Sequence, residues 1–249
     1  MISLREDRAV IFDLYETLIS EYGLEQKPKP SIARRLGLNE DEFKREWSQI
    51  QEQRFTGQIA NFPSALRQIC ETLGYEVDNK ILNQLHHERL EIKRYPFMNI
   101  DEHVLEMLTT LVESGVKVGV LSNATAEEVT AWPDSKLAEL IEEAVFSCEV
   151  GKMKPDVSVY HLACNRLGVV PEATIFVGDG GFDELVGAAN AGLTALWATW
   201  FLDNGPLSSQ DKKMRERASI FPRLYIPFEL LQRLAVIDNP LEIEKITPL

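Results

Sequence analysis

Cysteine is scarce in this chain of 249 residues, and the three that occur, Cys70, Cys148 and Cys164, lie far apart with no CxxC pair. An odd, scattered set of thiols excludes a disulfide framework and a zinc site, and predicts reduced cysteines that serve packing. Long apolar runs are also missing. No stretch approaches the roughly 18 residues of a membrane span, and the opening MISLREDRAV has no apolar leader core. A cytoplasmic protein without a membrane partner is expected. Positive charge is in deficit, 26 Lys and Arg against 39 Asp and Glu for a formal charge of −13, which argues against nucleic acid as a partner. A small anionic substrate would then need local positive charge or a metal ion. Internal repeats and low-complexity tracts are absent. With 45% hydrophobic and 26% charged residues, the chain has the composition of an ordinary globular protein, monomer or homodimer, large enough for one domain with a second inserted in it.

What is present begins with AVIFDLYETL, residues 9–18, an apolar run that stops at Asp13 and is followed by a hydroxyl at Thr17. Such a run reads as a buried strand, Ala9 to Phe12, delivering a carboxylate to the carboxyl edge of a sheet. From about Ser20 to Tyr95 the texture changes to polar sequence with apolar residues at helical spacing, as in Phe43, Trp47 and Ile50, or Ala65, Ile69 and Leu73. Pro28 and Pro30 mark its entry, Gly57 and Pro63 a break between helices, and Gly74 another helix end. Strand and helix then alternate: helix 101–114, strand 116–121, helix 135–142, strand 144–147, helix 156–167, strand 174–177, helix 183–191, strand 194–198, strand 224–226 and helix 227–234. The polar segment 203–217 reads as a surface excursion. This rhythm predicts an α/β fold, a Rossmann-like parallel-sheet core with an inserted all-helical cap. Residues 1–19 and 96–249 would form the core and residues 20–95 the cap. The apolar runs end in Asp13, in Ser122 and Asn123, and in Gly178 and Asp179, so parallel pairing would gather these groups at one edge.

FDLYETL, VLSN, KMKPD and VGDGGFDEL, in that order, resemble the four motifs of the haloacid dehalogenase-like hydrolase superfamily, and the helical insert resembles its C1-type cap. The resemblance implies Asp13 as nucleophile, Ser122 as a phosphate-binding hydroxyl and Lys154 as the cation beside nucleophile and phosphate. It implies Mg2+ held by Asp13, Asp179 and the backbone carbonyl of Tyr15, with Thr17 and Asn123 near the substrate. Asp183 or Glu184 fills the last acidic position; the spacing fits both, and Asp183 is favoured as the neighbour of Lys154. Charge makes these roles coherent, because a carboxylate attacking an anionic phosphorus needs an ammonium and a hard cation to offset repulsion. Arg54 lies in the break between cap helices where the family carries a specificity loop, and is a candidate contact for an anionic substrate; the alternative is a surface arginine. His86 and His87 read as exposed helix residues without ligand partners.

One position departs from the phosphatase pattern. Phosphatases of the superfamily carry a second aspartate two residues after the nucleophile, a general acid–base worth about 10²–10⁴-fold, and here that residue is Tyr15. Glu16, the nearest other carboxylate, is expected to face solvent. Tyrosine at this position resembles the L-2-haloacid dehalogenases, which displace halide without a metal; those enzymes replace the magnesium aspartate, which this chain keeps as Asp179. The expected activity is Mg2+-dependent hydrolysis of a small phosphorylated metabolite through an aspartyl-phosphate. The alternatives are haloacid dehalogenation and a binding protein with little turnover.

Overall fold

The computed structural model describes residues 9–22, 30–202 and 209–234. Pro28, residues 203–208 and the two ends of the expected core lie outside the described residues. Strand β1 (Ala9–Phe12) is followed by helices α1 (Ile32–Arg35), α2 (Glu40–Gln49), α3 (Gln51–Phe55), α4 (Phe62–Thr72) and α5 (Asn79–Met98). After them come α6 (Glu102–Glu113), β2 (Lys117–Ser122), α7 (Ala126–Val129), α8 (Lys136–Leu140), β3 (Glu143–Phe146) and α9 (Ser147–Val150). The chain continues through α10 (Val157–Leu167), β4 (Thr174–Gly178), α11 (Glu184–Asn190), β5 (Thr194–Ala198), α12 (Ser209–Ala218), β6 (Arg223–Leu224) and α13 (Phe228–Arg233).

All strands run parallel in the order β3-β2-β1-β4-β5-β6. A parallel sheet is buried on both faces, so its strands read as apolar runs, and alternate residues serve opposite sides. Val10 and Phe12 pack with Val104, Leu108 and Leu111 of α6, whereas Ala9 and Ile11 pack with Val159, Ala163 and Leu167 of α10. The central β1 lies between β2 and β4, where the strand order reverses, so the loops after these three strands share the crevice in which open α/β sheets bind ligands.

The helices α1 to α5 form a cap with an apolar cluster of its own. In α4, Phe62, Ala65, Leu66, Ile69 and Cys70 are buried, the i, i+3, i+4 stripe of an amphipathic helix, and they meet Phe43, Ile50 and Leu82. Asn39 and Asn61 cap α2 and α4 by accepting bonds from Asp41 N–H at 2.9 Å and Ser64 N–H at 3.0 Å. The last cap helix departs from expectation, since α5 continues through Pro96 to Met98. The polar segment read as a surface excursion is in its described part a helix, α12, whose Arg217 pairs with Asp183.

Candidate active site

Asp13 follows β1 directly, and its N–H donates to the Val177 carbonyl at 2.8 Å, which extends the β1–β4 pairing by one residue and fixes the side chain over the crevice. The Lys154 ammonium lies 2.5 Å from Asp13 and 2.5 Å from Glu184, and the lysine is only 1% exposed. Burial disfavours the ammonium, but Asp13 and Glu184 more than reverse this and hold its pKa above the ordinary value. The loop carrying Lys154 is itself fastened. Asn123 donates through its amide nitrogen to the Lys154 carbonyl at 2.9 Å and accepts from the Lys154 N–H at 2.8 Å. Both ends of the Asn123 carboxamide, expected near the substrate, are thus engaged with one backbone unit. Ser122 is buried at the end of β2, and Thr17 is buried with a hydroxyl that has no partner among the described residues.

Glu184, not Asp183, completes the carboxylate cluster. Its carboxylate takes the Lys154 ammonium on one oxygen and the Gly180 N–H at 2.9 Å on the other, while its own carbonyl accepts from the Tyr160 hydroxyl at 2.7 Å. Asp183 is half exposed and pairs with Arg217 at 2.6 Å, outside the cluster. The physical reason is helix face. Glu184 shares the buried side of α11 with Gly187 and Ala188, at i+3 and i+4, whereas Asp183 precedes the helix in a left-handed conformation. Those spacings could have found Glu184 in the sequence.

Carboxylate oxygens of Asp13, Asp179 and Glu184 all lie within 4.8 Å of one another. Burial, and then Asp13, push the Asp179 pKa up to about 6, and burial with Asp13 raises that of Glu184 well above its usual range. Three carboxylates face a single ammonium. This hard-oxygen set with surplus negative charge fits a divalent cation such as Mg2+.

Tyr15 has a different surrounding from an acid–base group. Its hydroxyl donates to the Glu128 carbonyl at 2.8 Å, burial raises its pKa, and the Lys93 ammonium lies 5.1 Å from its ring centre. Lys93 pairs with Glu21 and Glu128 at 2.9 Å each, and Arg89 with Glu127 at 3.1 Å and Glu128 at 3.0 Å, so Tyr15 belongs to a charged seam joining α5 to α7. Nothing in the motif spacing revealed that seam, in which Tyr15 meets the charges of two helices, α5 and α7, distant from it in the chain. Glu16 does not face solvent as expected. At a φ of 55° its carboxylate turns inward to accept from Ser20 Oγ and the Glu21 N–H at 2.9 Å, and burial raises its pKa to about 7.

The cap closes over these loops. Phe55 meets Phe182 edge to face with ring centres 5.5 Å apart, and Gly57 lies so close to the Cys148 carbonyl that a Cβ would sit 2.1 Å from it. Arg54 is not the surface arginine of the alternative reading; it is 8% exposed beneath the Trp47 ring. His87 is exposed and His86 half-buried, and neither joins a metal-ligating group among the described residues.

Residues 8–192 match the family model of the haloacid dehalogenase-like hydrolases. The chain belongs to that family. A glyceraldehyde 3-phosphate phosphatase of Methanopyrus kandleri is 26% identical over 204 residues, spanning 76% of this chain and 82% of its own. The (S)-2-haloacid dehalogenase 2 of Pseudomonas sp. strain CBS-3 is 26% identical over 202 residues, 78% of this chain and 84% of its own. Dehalogenases outnumber phosphatases among the named relatives. The crystal structure of a 2-haloacid dehalogenase from Pseudomonas syringae pv. Tomato DC3000 superposes with a TM-score of 0.60 at 23% identity, covering 92% of this chain and 98% of its own, a likeness of fold. This member of the haloacid dehalogenase-like hydrolases thus combines the parallel core and helical cap of the family with a carboxylate cluster suited to a metal.

Proposed function

We propose that this hydrolase cleaves the phosphate ester of a small metabolite with Mg2+ held by Asp13, Asp179 and the Tyr15 carbonyl. The observation that carries the reading is the buried Asp13, Asp179 and Glu184 cluster, whose surplus charge has no use in displacing halide from carbon. When bound, the ion supplies positive charge against the nucleophile and the transferring oxygens. Asp13 attacks phosphorus, an Asp–O–P bond forms as the ester oxygen leaves, and water then cleaves the aspartyl-phosphate. Lys154 screens the attacking carboxylate, Glu184 holds the ammonium in place, and Ser122 and Thr17 offer hydroxyls to the phosphoryl oxygens. The Tyr15 hydroxyl spends its hydrogen bond on the Glu128 carbonyl, so the leaving oxygen is protonated by solvent, which favours esters of the more acidic alcohols.

A second reading, haloacid dehalogenation, is favoured by Tyr15 and by the names of the relatives, which weigh more toward it than toward phosphate chemistry. In it Asp13 would form an ester with the carbon that loses halide. One panel separates the two. Phosphate release from p-nitrophenyl phosphate and metabolite esters that requires Mg2+ and falls to the uncatalysed background in Asp13→Asn is the expected result. Halide release from 2-chloropropionate without metal, and no phosphate release, would replace the first reading by the second.

A further inference from the structure

Two indoles fasten the loops of the site from outside it. Trp197, in β5, stands opposite Gly178 across the β4–β5 ladder, and its Nε1–H donates to the carbonyl of the next residue, Asp179, at 2.9 Å. Trp200, just past the end of β5, donates from Nε1 to the Thr17 carbonyl at 2.9 Å. Because β4 lies between β5 and β1, no ladder joins these two strands, and Trp200 ties the loop after β1 to a strand that the sheet leaves unconnected to it. The segment bearing the two rings is itself anchored. Between them Thr199 donates its N–H and its hydroxyl to the Leu224 carbonyl at 3.0 Å each, and its hydroxyl accepts from Arg223 Nε at 2.8 Å.

Both loops need such a hold. Asp13, Asp179 and Glu184 crowd their carboxylates within 4.8 Å, and like charges at that range push the segments that carry them apart. Asp13 is fixed by its N–H to Val177, and Glu184 by Lys154 and Gly180 N–H, whereas the backbone of Asp179 is met from behind by Trp197. Gly180 packs on the same indole, where a Cβ would fall 3.6 Å from Nε1. In the first loop the Leu14 and Ile19 carbonyls accept from the loop's own amides, and the Thr17 carbonyl accepts from Trp200. An indole N–H is a single donor on a flat ring that packing holds in place, so it restrains an acceptor without bringing charge to an already charged site. We infer that Trp197 and Trp200 are positioning residues, Trp197 for the Asp179 carboxylate and Trp200 for the Thr17 hydroxyl. What the two held groups do, in binding Mg2+ and the phosphoryl oxygens, rests on the phosphatase reading; the hold itself does not.

The test uses Trp197→Phe and Trp200→Phe in the full chain, which keep an aromatic ring and remove the N–H, beside Trp132→Phe, whose ring packs on Phe97 and Phe146. Hydrogen exchange of the metal-free protein reads the hold directly. Amides of residues 16–19 are expected to exchange about three- to tenfold faster in Trp200→Phe, and those of 180–181 in Trp197→Phe, the scale of one lost hydrogen bond, with both loops unchanged in Trp132→Phe. Steady-state kinetics reads the consequence. Trp197→Phe should raise the Mg2+ concentration for half-maximal release of phosphate from p-nitrophenyl phosphate by about three- to tenfold and leave KM for the ester nearly as it was. Trp200→Phe should raise that KM by a similar factor and leave the Mg2+ requirement unchanged. Unaltered exchange at both loops, or equal shifts of both kinetic parameters in both variants, as a general loss of rigidity gives, overturns the inference. Each variant reports on its own loop, so if one does not fold the other still decides. A wild type that releases no phosphate counts against the phosphatase reading, while the exchange rates still decide whether the indoles hold the loops.

Discussion

Lys154 is an ammonium removed from water and kept charged by the carboxylates on either side of it, and on the proposed mechanism the reactivity of Asp13 depends on that arrangement. Glu184 is accordingly a positioning residue, and its neighbour supplies the control. Glu184→Gln removes one negative charge from beside Lys154 and is expected to lower kcat by roughly 10²-fold, the scale of losing one preorganised electrostatic contact. Asp183→Asn breaks only a half-exposed pair with Arg217 and should change kcat less than about twofold, because exposed ion pairs contribute ~0–1 kcal/mol. Equal losses in the two variants would show that the wrong carboxylate has been placed beside the lysine. That Asp13, Asp179 and Lys154 come together was legible in the sequence, the two aspartates because each ends an apolar run and the lysine because the four motifs keep their order. Glu184 was legible only as one of two, and Tyr15 was legible as a departure but not as part of the Arg89 and Lys93 seam, since no local pattern records which distant charges a phenol will meet.

The elements were easier to read than their docking. Strand runs of four to six apolar residues and the i, i+3, i+4 stripe of α4 follow from burial on two faces and on one face respectively, and both periods are written in the chain. How the cap rests on the core is not, because that contact is made by the charged seam of α5 and α7 and by single close approaches between loops. Gly57 is one of these, with a φ of 71° and no room for a Cβ against the Cys148 carbonyl. Gly57→Ala is expected to cost about 1–3 kcal/mol from backbone strain alone and to raise KM more than it lowers kcat, because the displaced α3 loop carries Arg54 and Phe55. Chemical denaturation and steady-state kinetics read the two effects, and a variant with wild-type stability and KM would remove Gly57 from the cap–core contact.

Taken together, the protein is an acidic parallel-sheet hydrolase whose crevice concentrates more negative charge than its own lysine balances, and pH should expose this. Folding raises the Asp179 pKa from 3.8 to about 6, through burial first and Asp13 second. A raised carboxyl favours folding while it is protonated, so this contribution is complete below about pH 4 and is lost as pH rises through about 6. The metal-free protein therefore loses stability over that interval, whereas Mg2+ displaces the proton and gains affinity across it. The rise in Tm when Mg2+ is added to chelator-treated protein is expected to be larger at pH 8 than at pH 5.5, and a pH-independent rise would mean that the cluster does not hold the ion. Amino-acid order alone determined the strands, the helical insert and the strand-end position of Asp13, because burial periodicity and strand-end polarity are local properties of a chain. Only the tertiary structure decided that Glu184 rather than Asp183 meets Lys154, that Asn123 holds a backbone, that the Tyr15 hydroxyl meets the Glu128 carbonyl and that Arg54 is buried against Trp47, because each depends on which charges, rings and carbonyls distant segments bring within a few ångströms.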